Sequence, residues 1–194
     1  VGVTAIDVVM LGKVGETALS GSSLAGQIQF IMMLLFFGIT SGATVLTAQY
    51  WGKKDTRTIE KILGMGLSVS LVVAAAFTIV ALLIPETLMR IYSSDAEVIT
   101  EGARYLRIVG LSYLCIAVTQ VYLNIMRSIE RVLIATFVYF MSLVVNVVVN
   151  ALLIFGLCGF PKLGIVGAAI GTLCARITET VIVLVYARTR NRDV

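Results

Sequence analysis

The sequence has no histidine, two prolines, three cysteines and little charge: only 13% of its 194 residues are Asp, Glu, Lys or Arg. Without histidine, neither a Ser-His or Cys-His nucleophile pair nor a His-based metal site can form. Cys115, Cys158 and Cys174 lie far apart inside apolar stretches. That spacing gives no disulfide framework and no zinc site, and the three read as small buried hydrophobes. Soluble domains carry about a quarter charged residues. A chain that is 59% hydrophobic, with a mean hydropathy of +1.01, has too few charges to cover a water-facing surface. It is therefore expected to be all-α and integral to a membrane. The net charge of +4 does not point to nucleic acid, because the basic residues sit in short clusters between apolar runs.

A helix needs about 20 apolar residues to cross the hydrocarbon layer. Residues 24–50, 62–85, 105–126, 132–157 and 163–187 meet that requirement and predict five spans. They are rich in Val, Ile and Leu, but in lipid every backbone polar group must be satisfied within its own segment, so helix is the expected state. Residues 1–14 are expected to be the outer part of a truncated first helix. Residues 1–194 then form a single six-helix bundle. The connections are short, and Glu86–Arg104 is amphipathic, as a surface helix or loop would be. Gly38-x-x-x-Gly42 and Gly167-x-x-x-Gly171 permit close helix contact.

Basic residues predict the orientation. Lys53, Lys54, Arg57, Lys61, Arg127, Arg131, Arg188, Arg190 and Arg192 fall on one side. Lys13, Arg90, Arg104, Arg107 and Lys162 fall on the other, diluted by acidic residues. The first side is expected to be cytoplasmic, with both termini on it.

The informative residues are those the bilayer should exclude. An ionised group in hydrocarbon costs several kcal/mol, so it marks a functional candidate. Asp7 has no basic residue within a turn or two of helix, and as an isolated carboxyl it is suited to carry a proton or, given converging oxygens, a sodium ion. Arg176 and Glu179 are spaced i, i+3 and can pair; that pair either faces a wet cavity or acts as a gate. Asn146 and Asn150 share a face of the fifth helix, as Gln120 and Asn124 share one of the fourth. With Thr172 and Gln27, these amides either bond between helices or line a cavity. Measured at 1.5 Å per residue, Asp7 lies about 8 Å below Gly12, Asn150 about 10 Å below Leu157 and Thr172 about 13 Å below Leu163. Three polar residues on three helices therefore fall in one layer.

The run Ala5-Ile6-Asp7-Val8-Val9-Met10-Leu11-Gly12-Lys13-Val14-Gly15 resembles the first-helix signature of multidrug and toxic compound extrusion (MATE) transporters, (V/I)-D-x-x-(M/F)-x-G-x-x-G. Phe36-Phe37-Gly38 with Ser41-Gly42, and Ala48-Gln49-Tyr50-Trp51-Gly52, are similar to that family's second-helix stretch. Asn146-x-x-x-Asn150-x-x-x-Ile154-Phe155-Gly156 and Gly164-x-x-Gly167-Ala168-Ala169-x-Gly171-Thr172 match further along. The resemblance implies one lobe of a two-lobed, twelve-helix antiporter in the cell membrane. Such a protein exports cationic, often aromatic compounds against H⁺ or Na⁺, and needs a second six-helix lobe but no bound cofactor. It implies ion coupling at Asp7 and a polar cluster of Asn146, Asn150 and Thr172. Some members carry Asp where this chain has Asn150, which would concentrate proton coupling on Asp7.

Three rival readings are weaker. A flippase for lipid-linked sugars would line its cavity with several bases to hold pyrophosphate, whereas the only deep base is Arg176, with Glu179 beside it. An intramembrane aspartyl protease needs two carboxyls across a gap. A passive scaffold has no need of an unpaired Asp7 in lipid.

Overall fold

The computed structural model describes residues 2–156, 159 and 161–190, and every element among them is helical. Eight helices follow in order: α1 Gly2–Leu11, α2 Glu16–Gly52, α3 Thr56–Leu83, α4 Pro85–Tyr92, α5 Ala96–Gly110, α6 Tyr113–Ser128, α7 Val132–Phe155 and α8 Ile165–Arg190. Helices α2, α3, α7 and α8 are each long and apolar enough to cross a membrane. The 37 residues of α2 give it a length of about 55 Å, well beyond the hydrocarbon layer.

Two helix ends follow one recipe. Lys54 and Glu130 take left-handed φ values of 59° and 66°. The next residue's N–H then bonds five residues back, Asp55 to the Tyr50 carbonyl and Arg131 to that of Met126. This is the Schellman closure that satisfies the last free carbonyls of a helix. Asp55 then caps α3, accepting from the Thr58 N–H at 3.1 Å and the Thr58 hydroxyl at 2.6 Å. Those two donors hold its carboxyl below the usual carboxylate range.

The fourth span differs from the expected unbroken 105–126. Asp95 accepts from the backbone N–H of Glu97 and Val98, so the helix starts at Ala96, nine residues early. It then breaks between Gly110 and Tyr113, and α5 and α6 meet at a bend of 52°. The carbonyls released there find hydroxyls: Thr78 donates to Gly110 O at 2.9 Å and Ser112 to Val109 O at 2.6 Å. The Glu86–Arg104 stretch becomes α4 and most of α5. The pair is pinned by Met89, which is fully buried, and by an exposed Arg107–Glu86 ion pair of 2.7 Å.

Burial divides into two clusters. One gathers Leu11, Met32, Phe36, Met89, Leu106 and Tyr113 from α1, α2, α4, α5 and α6. The other gathers Ile59, Leu123, Met126 and Val138 from α3, α6 and α7. Outside them, residues such as Val72, Leu83 and Leu133 stand largely exposed. A continuous apolar exterior of this kind is stable only against lipid.

Small residues set the closest approaches, though not all of those the motifs pointed to. Gly38 and Gly42 face outward with nothing within 4 Å of an added Cβ, so that pair makes no helix contact. A Gly-x-x-x-Gly spacing permits contact but does not force it, and the inward face of α2 is set by Met32, Phe36, Thr40 and Thr47. On α2 the tight position is Gly21. A Cβ there would lie 2.9 Å from Gly102 N and 3.3 Å from Val98 O, both backbone atoms of α5. Gly21→Ala is expected to destabilise the bundle by about 1–3 kcal/mol, seen as a lower unfolding temperature in detergent.

Candidate coupling site

Asp7 sits midway along α1 and is 5% exposed. Opposite it, the 3.6-residue period of α7 turns Asn146 and Asn150 onto one inward face, and both are fully buried. Thr172 comes from α8. The Asn146 amide donates to Asp7 Oδ1 at 3.1 Å, Asn150 donates to the same oxygen, and the Thr172 hydroxyl donates to Asp7 Oδ2 at 2.8 Å. Asn150 also donates to Asn146 Oδ1 at 3.2 Å. The structure thus joins four of the residues singled out in the sequence. Among the described residues no arginine or lysine hydrogen-bonds to Asp7.

The α7–α8 approach makes this convergence possible. A Cβ at Gly167 would lie 2.8 Å from the Leu153 backbone, and one at Gly171 would overlap Asn150 Oδ1. The absence of both side chains lets α8 come close enough for Thr172 to reach Asp7. Asn150 Oδ1 has no hydrogen-bond partner although it is buried. Two amide groups and one hydroxyl therefore surround a single buried carboxylate, the one group of the four that can take up a proton or meet a cation with a full charge.

Asp7 also borders a cavity of about 450 Å³ lined by Ser22, Ser23, Gln27, Phe30 and Tyr105. Gln27 is exposed within it and makes no hydrogen bond to Asp7. Tyr105 is the residue the sequence did not mark: its ring is buried and its hydroxyl lies beside Thr172. A lone tyrosine at the edge of an apolar run carries no periodic signal, so nothing in the sequence alone singles it out.

Gln120, Arg176 and Glu179 belong to a second, larger cavity of about 790 Å³. Arg176 Nη1 donates to both Glu179 oxygens, at 2.9 and 3.0 Å, and the Glu179 side chain is 1% exposed. Gln120 accepts from the Tyr139 hydroxyl at 3.2 Å and lies apart from Asp7. Asn124 spends its amide on the Gln120 carbonyl of its own helix, so it bridges no helices. Cys115 and Cys174 are free and half-buried, while Cys158 lies outside the described residues, as do the Arg190 side chain and Arg192.

The family model for MatE matches residues 1–152. The chain belongs to the MatE family. Its relatives include the probable multidrug resistance protein YoeA of Bacillus subtilis (strain 168), 25% identical over 91% of this chain and 38% of that protein. The probable multidrug resistance protein NorM of Rhizobium meliloti (strain 1021) is 28% identical over 94% of this chain and 39% of that one. A crystal structure of MATE in the bent conformation superposes with a TM-score of 0.87 at 21% identity, over 99% of this chain and 42% of the other. An outward-facing MATE family transporter gives 0.85 at 21%, over 98% and 41%. This MatE chain therefore spans about 40% of the length of the relatives it matches. The family and the apolar helices make it part of a multi-pass membrane protein.

Proposed function

We propose that the chain forms one six-helix lobe of an H⁺- or Na⁺-coupled antiporter that exports cationic, often aromatic compounds by alternating access. Asp7 takes up the coupling ion, and a second six-helix lobe completes the central cleft. The protein lies in the cell membrane with both termini cytoplasmic, and it uses no cofactor beyond the ion. The observation that carries this reading is the state of Asp7: withdrawn from water, ringed by three hydrogen-bond donors and, among the described residues, bonded to no fixed cation. An anion so placed is neutralised by a mobile cation, and the gain or loss of that cation can bias a conformational equilibrium. A flippase reading fits less well, since Glu179 neutralises the deep Arg176 and leaves little basic lining for pyrophosphate.

The test uses the complete transporter in proteoliposomes loaded with a fluorescent organic cation. An imposed ΔpH and an imposed ΔpNa are applied separately. One of them is expected to drive efflux against the dye gradient. Efflux under neither would overturn the proposal.

A further inference from the structure

The Asp7 cluster and the larger cavity are joined by a polar seam between α7 and α8. On α7, Asn150, Asn146 and Ser142 repeat every four residues and all are fully buried. On α8, Thr172, Arg176 and Glu179 follow one another along a face. Leu153 against Gly167 and Asn150 against Gly171 set an antiparallel register. Each turn from Asn150 toward Ser142 is therefore matched by a turn from Gly171 toward Glu179. Three buried polar atoms on this seam lack a partner: Asn150 Oδ1, Ser142 Oγ and Arg176 Nε. A buried polar atom without a protein partner is costly and calls for a further partner, such as a water, an ion or a regrouped side chain.

Arg176 lies between two carboxylates. It stands one helical turn from Thr172, which is bonded to Asp7, and its guanidinium is within electrostatic reach of Asp7. It engages Glu179 through Nη1 alone. Among the described residues, the other charged or titratable groups near the seam include Tyr105 beside Asp7, Tyr113 near Tyr105, and Tyr139, with Arg127 stacked over the Tyr139 ring at 5.4 Å. Helix α2 faces the cavity with uncharged Met33, Phe36, Phe37 and Thr40.

Arg127 is exposed, where water screens its charge, and arginine stays protonated, so the withdrawn groups Asp7, Arg176 and Glu179 together carry one negative charge when no ion is bound. One monovalent cation neutralises the seam, and a second overfills it in a medium that penalises net charge. Two cations with separate sites are thus forced to compete.

Resting on the reading of Asp7 as the ion-coupling group, we propose that Arg176 transmits this competition by changing carboxylates. Held by Glu179, it leaves Asp7 to the coupling cation. When an aromatic organic cation enters the larger cavity and takes Glu179, Arg176 turns to Asp7 and displaces that ion. The rings of Phe36, Phe37, Tyr139 and Phe140 line the same cavity and suit such a ligand. Glu179 is accordingly a positioning residue for Arg176.

The test measures cation affinity of the complete transporter in detergent. Sodium binding is titrated at fixed pH, and proton uptake is followed with a soluble indicator in sodium-free choline buffer. Glu179→Gln frees Arg176 and is expected to weaken cation affinity at Asp7 by about tenfold or more, whereas Arg176→Gln removes the competitor and strengthens it by a similar factor. The double variant returns close to wild type. Ethidium is expected to release bound cation from the wild type and not from Arg176→Gln. A pair that only stabilises the fold would lower the unfolding temperature of both single variants and leave cation affinity unchanged or shifted in one direction; that result overturns the proposal, as does undiminished release by ethidium from Arg176→Gln. Arg176→Lys and Glu179→Asp keep both charges with shorter reach. They are expected to move affinity in the same two directions by smaller factors, which keeps the comparison decisive if a glutamine variant does not fold. A wild type that takes up neither cation overturns the reading of Asp7 itself, and this inference with it.

Discussion

Asp7→Asn in the complete transporter is expected to reduce ion-driven efflux to the level seen without a gradient, while the protein still folds. The substitution keeps the size and one acceptor oxygen, so Asn146 and Asn150 retain their target. The new amide faces the Thr172 hydroxyl, which can turn from donor to acceptor. What disappears is the charge. A ligand shifts an equilibrium only through its differential affinity for the two states, and a neutral residue gives H⁺ or Na⁺ no reason to bind. Efflux in proteoliposomes and unfolding temperature, measured together, separate loss of coupling from loss of fold. Persistent gradient-driven efflux would place the coupling group elsewhere.

The second large effect is expected at a residue with no side chain. Gly171→Ala puts a methyl group where Asn150 Oδ1 now lies, with the Asn150 Cγ only 3.0 Å away. Either Asn150 rotates off Asp7 or α8 moves away from α7, which draws Thr172 with it. Overpacking of this kind costs about 1–3 kcal/mol. Efflux should fall with it by at least about tenfold, because one or two of the three donors to Asp7 move. The companion variant Asn150→Ala/Gly171→Ala makes room again. It is expected to regain the unfolding temperature but not the efflux, since the Asn150 amide is gone. A Gly171→Ala protein with wild-type efflux would contradict the close seam.

Where the sequence could be read and where it could not follows from the nature of lipid as a solvent. Asp7, Asn146, Asn150 and Thr172 stood out because hydrocarbon excludes polar groups, so each survivor is conspicuous. Their common depth also followed from the helical rise. The partition of the remaining polar residues was not readable. Gln120 and Gln27 are equally conspicuous amides, yet one borders the Arg176–Glu179 cavity and the other opens beside Asp7. Tyr105 carried no signal at all. The break at Leu111–Ser112 was hidden because the residues around it are apolar, and the hydroxyl that accommodates it, Thr78, lies on another helix.

The sequence alone determined that the chain is a membrane-embedded helical protein, roughly where its apolar helices run, and which few polar side chains are held in them. Composition and helical period are local quantities, and lipid enforces them segment by segment. Tertiary structure alone decided which faces meet. Gly167 and Gly171 lie on the seam while Gly38 and Gly42 face outward, and Arg176 is bonded to Glu179 and not to Asp7. In a bilayer an apolar helix face is as content against lipid as against protein, so hydropathy cannot orient a helix. Close packing and the need of each buried polar atom for a partner make that choice.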